Sequence, residues 1–197
     1  MNVLVACEFS GVVRDAFIIM GHDAVSCDLL PSETKGRHHV GNVEEILNDG
    51  WDMMIGHPPC TYLASSGLHW TTRGLRDRSL TERAIEFVSL LMSAPIEKIC
   101  IENPVGIISS RIRKPDQIIQ PYEFGEDASK KTCLWLKGLP ALRGTKYCEP
   151  RMINGKSRWG NQCASGQNKL GPNMNRWKQR SVTYPGIAAA MAEQWGE

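Results

Sequence analysis

No apolar run in the 197-residue chain approaches the ~18–20 residues that a membrane span needs. Its first residues, Met1 to Cys7, lack the basic start and small-residue cleavage site of a secretory signal. The seven cysteines are an odd number, spread from Cys7 to Cys163 without tight spacing. That pattern predicts reduced thiols in a cytoplasmic compartment and argues against a disulfide scaffold. A metal centre is not expected: Cys148 and Cys163 have neither a Cys-x-x-Cys pattern nor a nearby histidine, and His38-His39 reads as a strand-edge pair. Internal repeats are absent. Membrane protein, secreted knot and coiled coil are excluded. What is present is an ordinary globular composition, 42% hydrophobic and 22% charged, predicting one packed domain over 1–197.

The net charge of +2 hides an asymmetry. From Arg111 to Arg180 there are 15 Lys or Arg against five Asp or Glu, a net of +10; the remainder carries eight against 16, a net of −8. Such a stretch fits either a surface for a polyanion, most simply nucleic acid, or a solvated basic loop region.

Strand-like and helix-like segments alternate through the first 104 residues. Short strands are predicted at Val3–Cys7, Ala24–Cys27, His39–Val40, Asp52–Ile55 and Lys98–Ile101. Helical spacing runs to about Met20, turns at Val43–Leu47, and returns over Leu80–Met92, where Ala84, Phe87, Val88 and Leu91 recur on one face. This order predicts an α/β fold with a mostly parallel sheet covered by helices on both faces. Lys137 to Arg180 holds six Gly, three Pro, five Asn and ten Lys or Arg with one acid, a loop-rich basic insertion at about 137–180. Pro185 opens a last helix on which Ile187, Met191 and Trp195 share a face.

Ligands of such sheets bind beyond the carboxyl ends of the strands. Those ends carry Glu8-Phe9-Ser10-Gly11, Asp28, His57-Pro58-Pro59-Cys60 and Glu102-Asn103-Pro104. Turn residues occupy any strand end, but four polar or reactive ends together are harder to explain that way. Two consecutive prolines fix the backbone before Cys60, and a thiol held so at a strand end can serve as a nucleophile; a small buried cysteine in a tight turn is the bland alternative. A carboxylate after an apolar strand is partly desolvated, which raises its pKa and suits Glu102 to proton donation. Strands four and five would bring the two together.

This combination resembles the DNA cytosine-5 methyltransferases, in a short, phage-like form lacking a full target-recognition region. In that family a Pro-Pro-Cys cysteine and a Glu-Asn glutamate follow the fourth and fifth strands. The resemblance implies a class I methyltransferase-like fold, S-adenosylmethionine as cofactor and cytosine-containing DNA as partner. It implies Cys60 and Glu102 as catalytic residues. Phe9, Ser10, Gly11, Asp28, Asn42 and Pro58 fall where the family holds its cofactor. Pro59, Asn103, Lys130 and Lys131 fall toward the substrate, and Arg158, Arg176 and Lys178 are the basic residues suited to phosphates. Single Gly11, Pro104 in place of valine, Thr61 in place of glutamine, and lysines in place of arginines are departures from the family pattern.

By that resemblance Cys60 adds to carbon 6 of cytosine, Glu102 engages ring nitrogen 3 and the exocyclic amine, and carbon 5 takes the methyl group. Three rivals remain open here: an amino-methyltransferase, another pyrimidine carbon-5 enzyme including one acting on a free nucleotide, and a silent DNA-binding protein on the same scaffold. His57-Pro58-Pro59-Cys60 lacks the acid or amide and the aromatic of the first. Trp159 and Trp177, set among basic residues, can stack on bases or anchor a loop.

Overall fold

The computed structural model describes residues 1–171 and 173–197. Its central sheet is built from β1 (Asn2–Ala6), β2 (Asp23–Asp28), β3 (His38–Val40), β4 (Met53–Gly56), β5 (Lys98–Pro104), β6 (Gln117–Ile119) and β7 (Thr132–Lys137). The strands lie in the order β3-β2-β1-β4-β5-β7-β6. β1 to β5 pair in parallel, and β7 runs antiparallel to both β5 and β6. The helices are α1 (Val12–Ile19), α2 (Ser65–Thr72), α3 (Arg78–Met92), the single turn α4 (Ile108–Arg111), α5 (Arg176–Ser181) and α6 (Pro185–Trp195). Between β7 and α5 lies a small hairpin of β8 (Arg151–Ile153) and β9 (Lys156–Arg158). Among the described residues no helix is long and apolar enough to cross a membrane.

The buried strands read as continuous apolar runs because both sheet faces are covered. Alternate side chains serve opposite cores. Val3, Val5 and Ile55 face α1 and α6, where Val13, Phe17, Ile187, Met191 and Trp195 meet them. Leu4, Ala6, Met54, Ile99 and Ile101 face α3 through Ile85, Val88 and Leu91. The spacing of those three α3 residues is one helical face, and Asp77 caps its start by accepting from the Ser79 amide at 2.9 Å. Buried indoles find acceptors: Trp195 donates to the Pro140 carbonyl at 2.9 Å and Trp135 to that of Arg113 at 2.8 Å.

Among the expected strands the largest boundary difference is at the end of β5. β5 does not stop at Ile101 but continues to Pro104, because β7 pairs with it throughout and sets Glu102 opposite Leu134 and Asn103 opposite Cys133. Glu102 and Asn103 are therefore held by a sheet rather than by a loop. The 137–180 segment is loop-rich, with the β8–β9 hairpin and most of α5 as its regular structure among the described residues.

The two loops that leave β4 and β5 are laced together. Ser65 donates its amide to the Val105 carbonyl at 3.0 Å, and the Ile107 amide donates to that of Leu63 at 2.8 Å. Gly106 sits inside this lacing, where a Cβ would press on the Leu63 carbonyl. Gly106→Ala should therefore lower stability by about 1–3 kcal/mol through displacement of the loops. Urea unfolding checks this; an unchanged midpoint would contradict the tight approach.

Candidate active site

Register places the reactive residues. Gly56 of β4 pairs with Ile101 of β5, so the next residues, His57 and Glu102, emerge side by side. The His57 amide donates to the Ala6 carbonyl at 2.9 Å, continuing the ladder one residue beyond β4. Pro58 and Pro59 then offer no N–H, and the chain leaves the sheet. The Pro58 carbonyl is caught by the Asn103 side-chain amide at 2.7 Å. Cys60 opens a short 3-10 turn to Tyr62, its carbonyl accepting from the amides of Leu63 (3.1 Å) and Ala64 (2.9 Å). Its side chain is exposed. The other cysteines of the strand ends differ: burial pushes Cys7 far up and Cys27 up to about 11, keeping both protonated.

Glu102 departs from the expected behaviour. Burial alone would raise its pKa, but the hydrogen bond from His57, the charge of Lys130 and a bond from Thr183 outweigh it and hold the carboxyl well below the usual range. A place after an apolar strand implies desolvation alone, whereas His57, Lys130 and Thr183 reach Glu102 from elsewhere in the chain. His57 Nδ1 lies 2.9 Å from Glu102 Oε2, and Thr183 Oγ1 donates to the same oxygen at 3.4 Å. Burial works against charge on His57, yet Glu102 and then Glu8 raise its pKa overall. His57 and Thr183 were missed as site residues. The one available signal for His57 was its position directly before Pro58, in register with Glu102.

Beside the Pro58-Pro59 turn lies a cavity of about 530 Å³, open beyond the ends of β1, β2 and β4 and walled by α3. Asp28, Asn42, Pro58 and Pro59 line it, with Val43 and Phe87 among its apolar walls. Asp28 Oδ1 accepts from the Leu30 amide at 2.9 Å. The Asn42 side chain caps the turn Val43–Glu45, accepting from the Glu44 amide at 3.2 Å.

Phe9, Ser10 and Gly11 lie outside this lining. Phe9 is covered by Trp177 (ring centroids 6.1 Å apart) and by Lys178, whose Nζ stands 5.1 Å from the ring centre. Ser10 bonds to Glu8, which accepts the Val13 amide at 2.7 Å and that of Arg14 at 3.2 Å, closing the N-terminus of α1. Gly11 has φ +76°, and a Cβ there would meet Thr34 and the Arg14 guanidinium. The fully buried Arg14 reaches Ser26, Ser32, Thr34 and the Lys35 carbonyl. This bracket ties the start of α1 to β2 and the loop after it.

Several residues assigned to substrate are engaged within the chain. Asn103, only 1% exposed, supports the Pro58 turn instead of facing solvent. Lys130 Nζ donates to the Arg180 carbonyl at 3.1 Å, while Lys131 is exposed. Arg158 donates to the carbonyls of Ala164 (2.9 Å) and Ser157 (2.8 Å), shaping its own loop. Lys178 pairs with Glu33 at 2.9 Å. Arg176 is partly buried, with Nε lacking a partner among the described residues. Trp159 is an anchor: it stacks on Tyr122 at 4.1 Å and donates to the Cys148 carbonyl at 3.0 Å. Trp177 is 57% exposed. Among the described residues no group of three His, Cys, Asp or Glu could hold a metal ion.

No protein-family model and no curated protein matches the chain. Solved structures do. A methyltransferase of Entamoeba histolytica, EhMeth, superposes with a TM-score of 0.52 at 15% identity, over 76% of this chain and 58% of its own. A DNA modification methyltransferase encoded within an E. coli prophage gives 0.48 at 15% identity, over 78% of this chain and 53% of its own. The fold is methyltransferase-like. The chain spans a little over half the length of these proteins, and at such identity the likeness concerns architecture alone.

Linkage gives the buried pair a pH signature. Glu102, with its pKa depressed, contributes stability above the unfolded carboxylate value that is lost as pH falls through the folded one. His57, raised, contributes below its unfolded value and loses that contribution as pH rises through the folded one. Glu102→Gln should therefore destabilise most between about pH 4.5 and 6.5, by roughly 3 kcal/mol, and less on either side. Urea unfolding across pH checks this; a destabilisation that does not vary with pH would contradict an ionised pair.

Proposed function

We propose that this chain methylates carbon 5 of cytosine in DNA, with S-adenosylmethionine as the donor. The observation that carries the reading is the exposed Cys60 on a turn that both strands hold: its His57 is in register with the buried Glu102, and its Pro58 carbonyl is braced by Asn103. The cavity on the other side of the turn suits the donor: Val43 and Phe87 are apolar walls for a flat base, and Asp28 is an acceptor for ribose hydroxyls. When bound there, the donor supplies an electrophilic methyl group.

Cytosine's carbon 5 is a poor nucleophile while the ring is conjugated. The Cys60 thiolate forms a bond to carbon 6, and the electron pair of the 5,6 double bond passes to carbon 5. Glu102 accepts from the exocyclic amine and so favours cytosine over thymine. After carbon 5 is methylated its proton passes to solvent, the C–H electron pair re-forms the 5,6 double bond, and the bond to Cys60 breaks with its pair returning to sulfur. In a duplex the base must first leave the stack, at a cost of a few kcal/mol. Basic side chains between Arg111 and Arg180 are suited to offset that through phosphates. Of these, Lys131, Lys156 and Lys169 are exposed and make no side-chain hydrogen bond among the described residues. The basic 137–180 segment is the candidate recognition region within one methyltransferase-like domain over 1–197.

A cytosine bearing fluorine at carbon 5 tests the chemistry, since fluorine cannot leave as a proton and the adduct persists. Wild type with such DNA and donor should give a denaturation-resistant band that Cys60→Ser abolishes. A band that survives in Cys60→Ser would assign another nucleophile. No band, although DNA and donor both bind, would favour the silent DNA-binding protein. A band only with the free nucleotide would favour the nucleotide enzyme.

DNA binding should weaken steeply with salt. Charge reversal at Lys131, Lys156 and Lys169 together should lower affinity for many sequences alike while leaving the urea midpoint unchanged. Affinity untouched by these changes, measured by fluorescence anisotropy, would place the phosphates elsewhere.

A further inference from the structure

The two oxygens of Glu102 are not equivalent. Oε2 takes both protein donors, His57 Nδ1 at 2.9 Å and Thr183 Oγ1 at 3.4 Å. Oε1 takes none among the described residues and is not among the buried orphan atoms. The imidazole that makes the division is itself fixed: its side chain is 9% exposed, its backbone is held by Ala6, and its Nε2 is buried without a partner. A ring with one bonded nitrogen and one orphaned one is a costly arrangement for packing alone. Charged groups surround it on several sides: Glu102 from β5, Glu8 from the loop after β1, and Lys130 from the loop before β7.

We propose that His57 is a positioning residue and counter-charge for Glu102: it commits Oε2 to the protein, turns Oε1 alone toward the pyrimidine as an acceptor, and balances negative charge that thiolate addition places on the ring. The role rests on the cytosine reading above. An ionised Oε1 attracts the exocyclic N–H of cytosine and repels the carbonyl that uracil and thymine carry at the same place. When Cys60 adds to carbon 6, the ring and Glu102 both carry negative charge, and the imidazolium behind Glu102 offsets one of them. Loss of that proton leaves the hydrogen bond from Nδ1 intact but removes the positive charge, so addition slows.

The expected pH profile has a descending limb: adduct formation falls as His57 loses its charge at higher pH. His57→Asn offers an amide N–H to Oε2 but cannot titrate there. His57→Ala offers neither bond nor charge.

The experiment measures the rate of adduct formation on fluorocytosine and fluorouracil DNA from pH 5.5 to 9, for wild type and both variants. Urea midpoints of all three proteins report folding alongside. His57→Asn should keep the preference for cytosine but lose the descending limb. His57→Ala should lose about ten- to a hundredfold in rate together with most of the preference, and His57→Asn should restore the preference. A merely structural His57 would shift the urea midpoint and leave the descending limb and the base preference unmoved, which would overturn the proposal. Adduct formation in His57→Ala with wild-type profile and preference would overturn it as well, leaving the cytosine reading intact. Absence of any adduct in wild type would overturn the cytosine reading, and His57's role with it.

Discussion

The parallel pairing of β4 with β5 is the constraint on which the site depends. Because Gly56 stands opposite Ile101, the first residues past that pair, His57 and Glu102, meet at hydrogen-bond distance in a place water scarcely reaches. A one-residue slip would turn alternate side chains to the opposite face and separate them. Burial then makes the pairing consequential: an isolated carboxylate there would be driven neutral, whereas the imidazole, Lys130 and Thr183 keep it charged. The antiparallel β7 completes the arrangement by extending β5 through Asn103, whose amide braces the proline turn before Cys60.

Around this pair the proposed function assigns two tasks to two places. The cavity beyond β1 and β2 is largely apolar, with Asp28 at the strand end as its polar marker. Cys60 follows the Pro58-Pro59 wall, exposed and outside the lining of that cavity. A donor in one and a base at the other would approach across two residues of rigid backbone. α6 contributes from the opposite end of the chain, since Thr183, two residues before it, closes on Glu102. The basic segment between β7 and α6 is likewise tied to the first loop, with Trp177 and Lys178 over Phe9 and Lys178 paired to Glu33. Two of the cations chosen for phosphates by composition are thus engaged within the chain, Lys178 in that tie and Arg158 in its own loop.

Much of the architecture was legible because local pattern and global fold agree. The apolar runs of β1, β4 and β5, the one-sided spacing of α3 and the proline start of α6 each point to the element that forms. Cys60 and Glu102 stood out because their neighbours are chemically unusual. The charge state of Glu102 was not legible: it depends on His57, 45 residues away in sequence, and on Thr183, 81 away. Asn103 was assigned to substrate by the family resemblance; the pairing of β5 with β7 and its bond to the Pro58 carbonyl were not legible. Likewise the lone Gly11 concealed the Arg14 bracket, whose partners Ser32, Thr34 and Lys35 come from a loop with no periodic signal. What escaped is long-range polar contact, which leaves no mark on hydrophobic spacing.

The central claim, that this site places a methyl group on cytosine, is tested most directly by incubating the protein with DNA and S-adenosylmethionine carrying a labelled methyl group, then digesting the DNA and separating its bases. The account predicts label in 5-methylcytosine and none when Cys60 is replaced by serine. Label on an exocyclic nitrogen of adenine or cytosine, or label that persists without the Cys60 thiol, would contradict it.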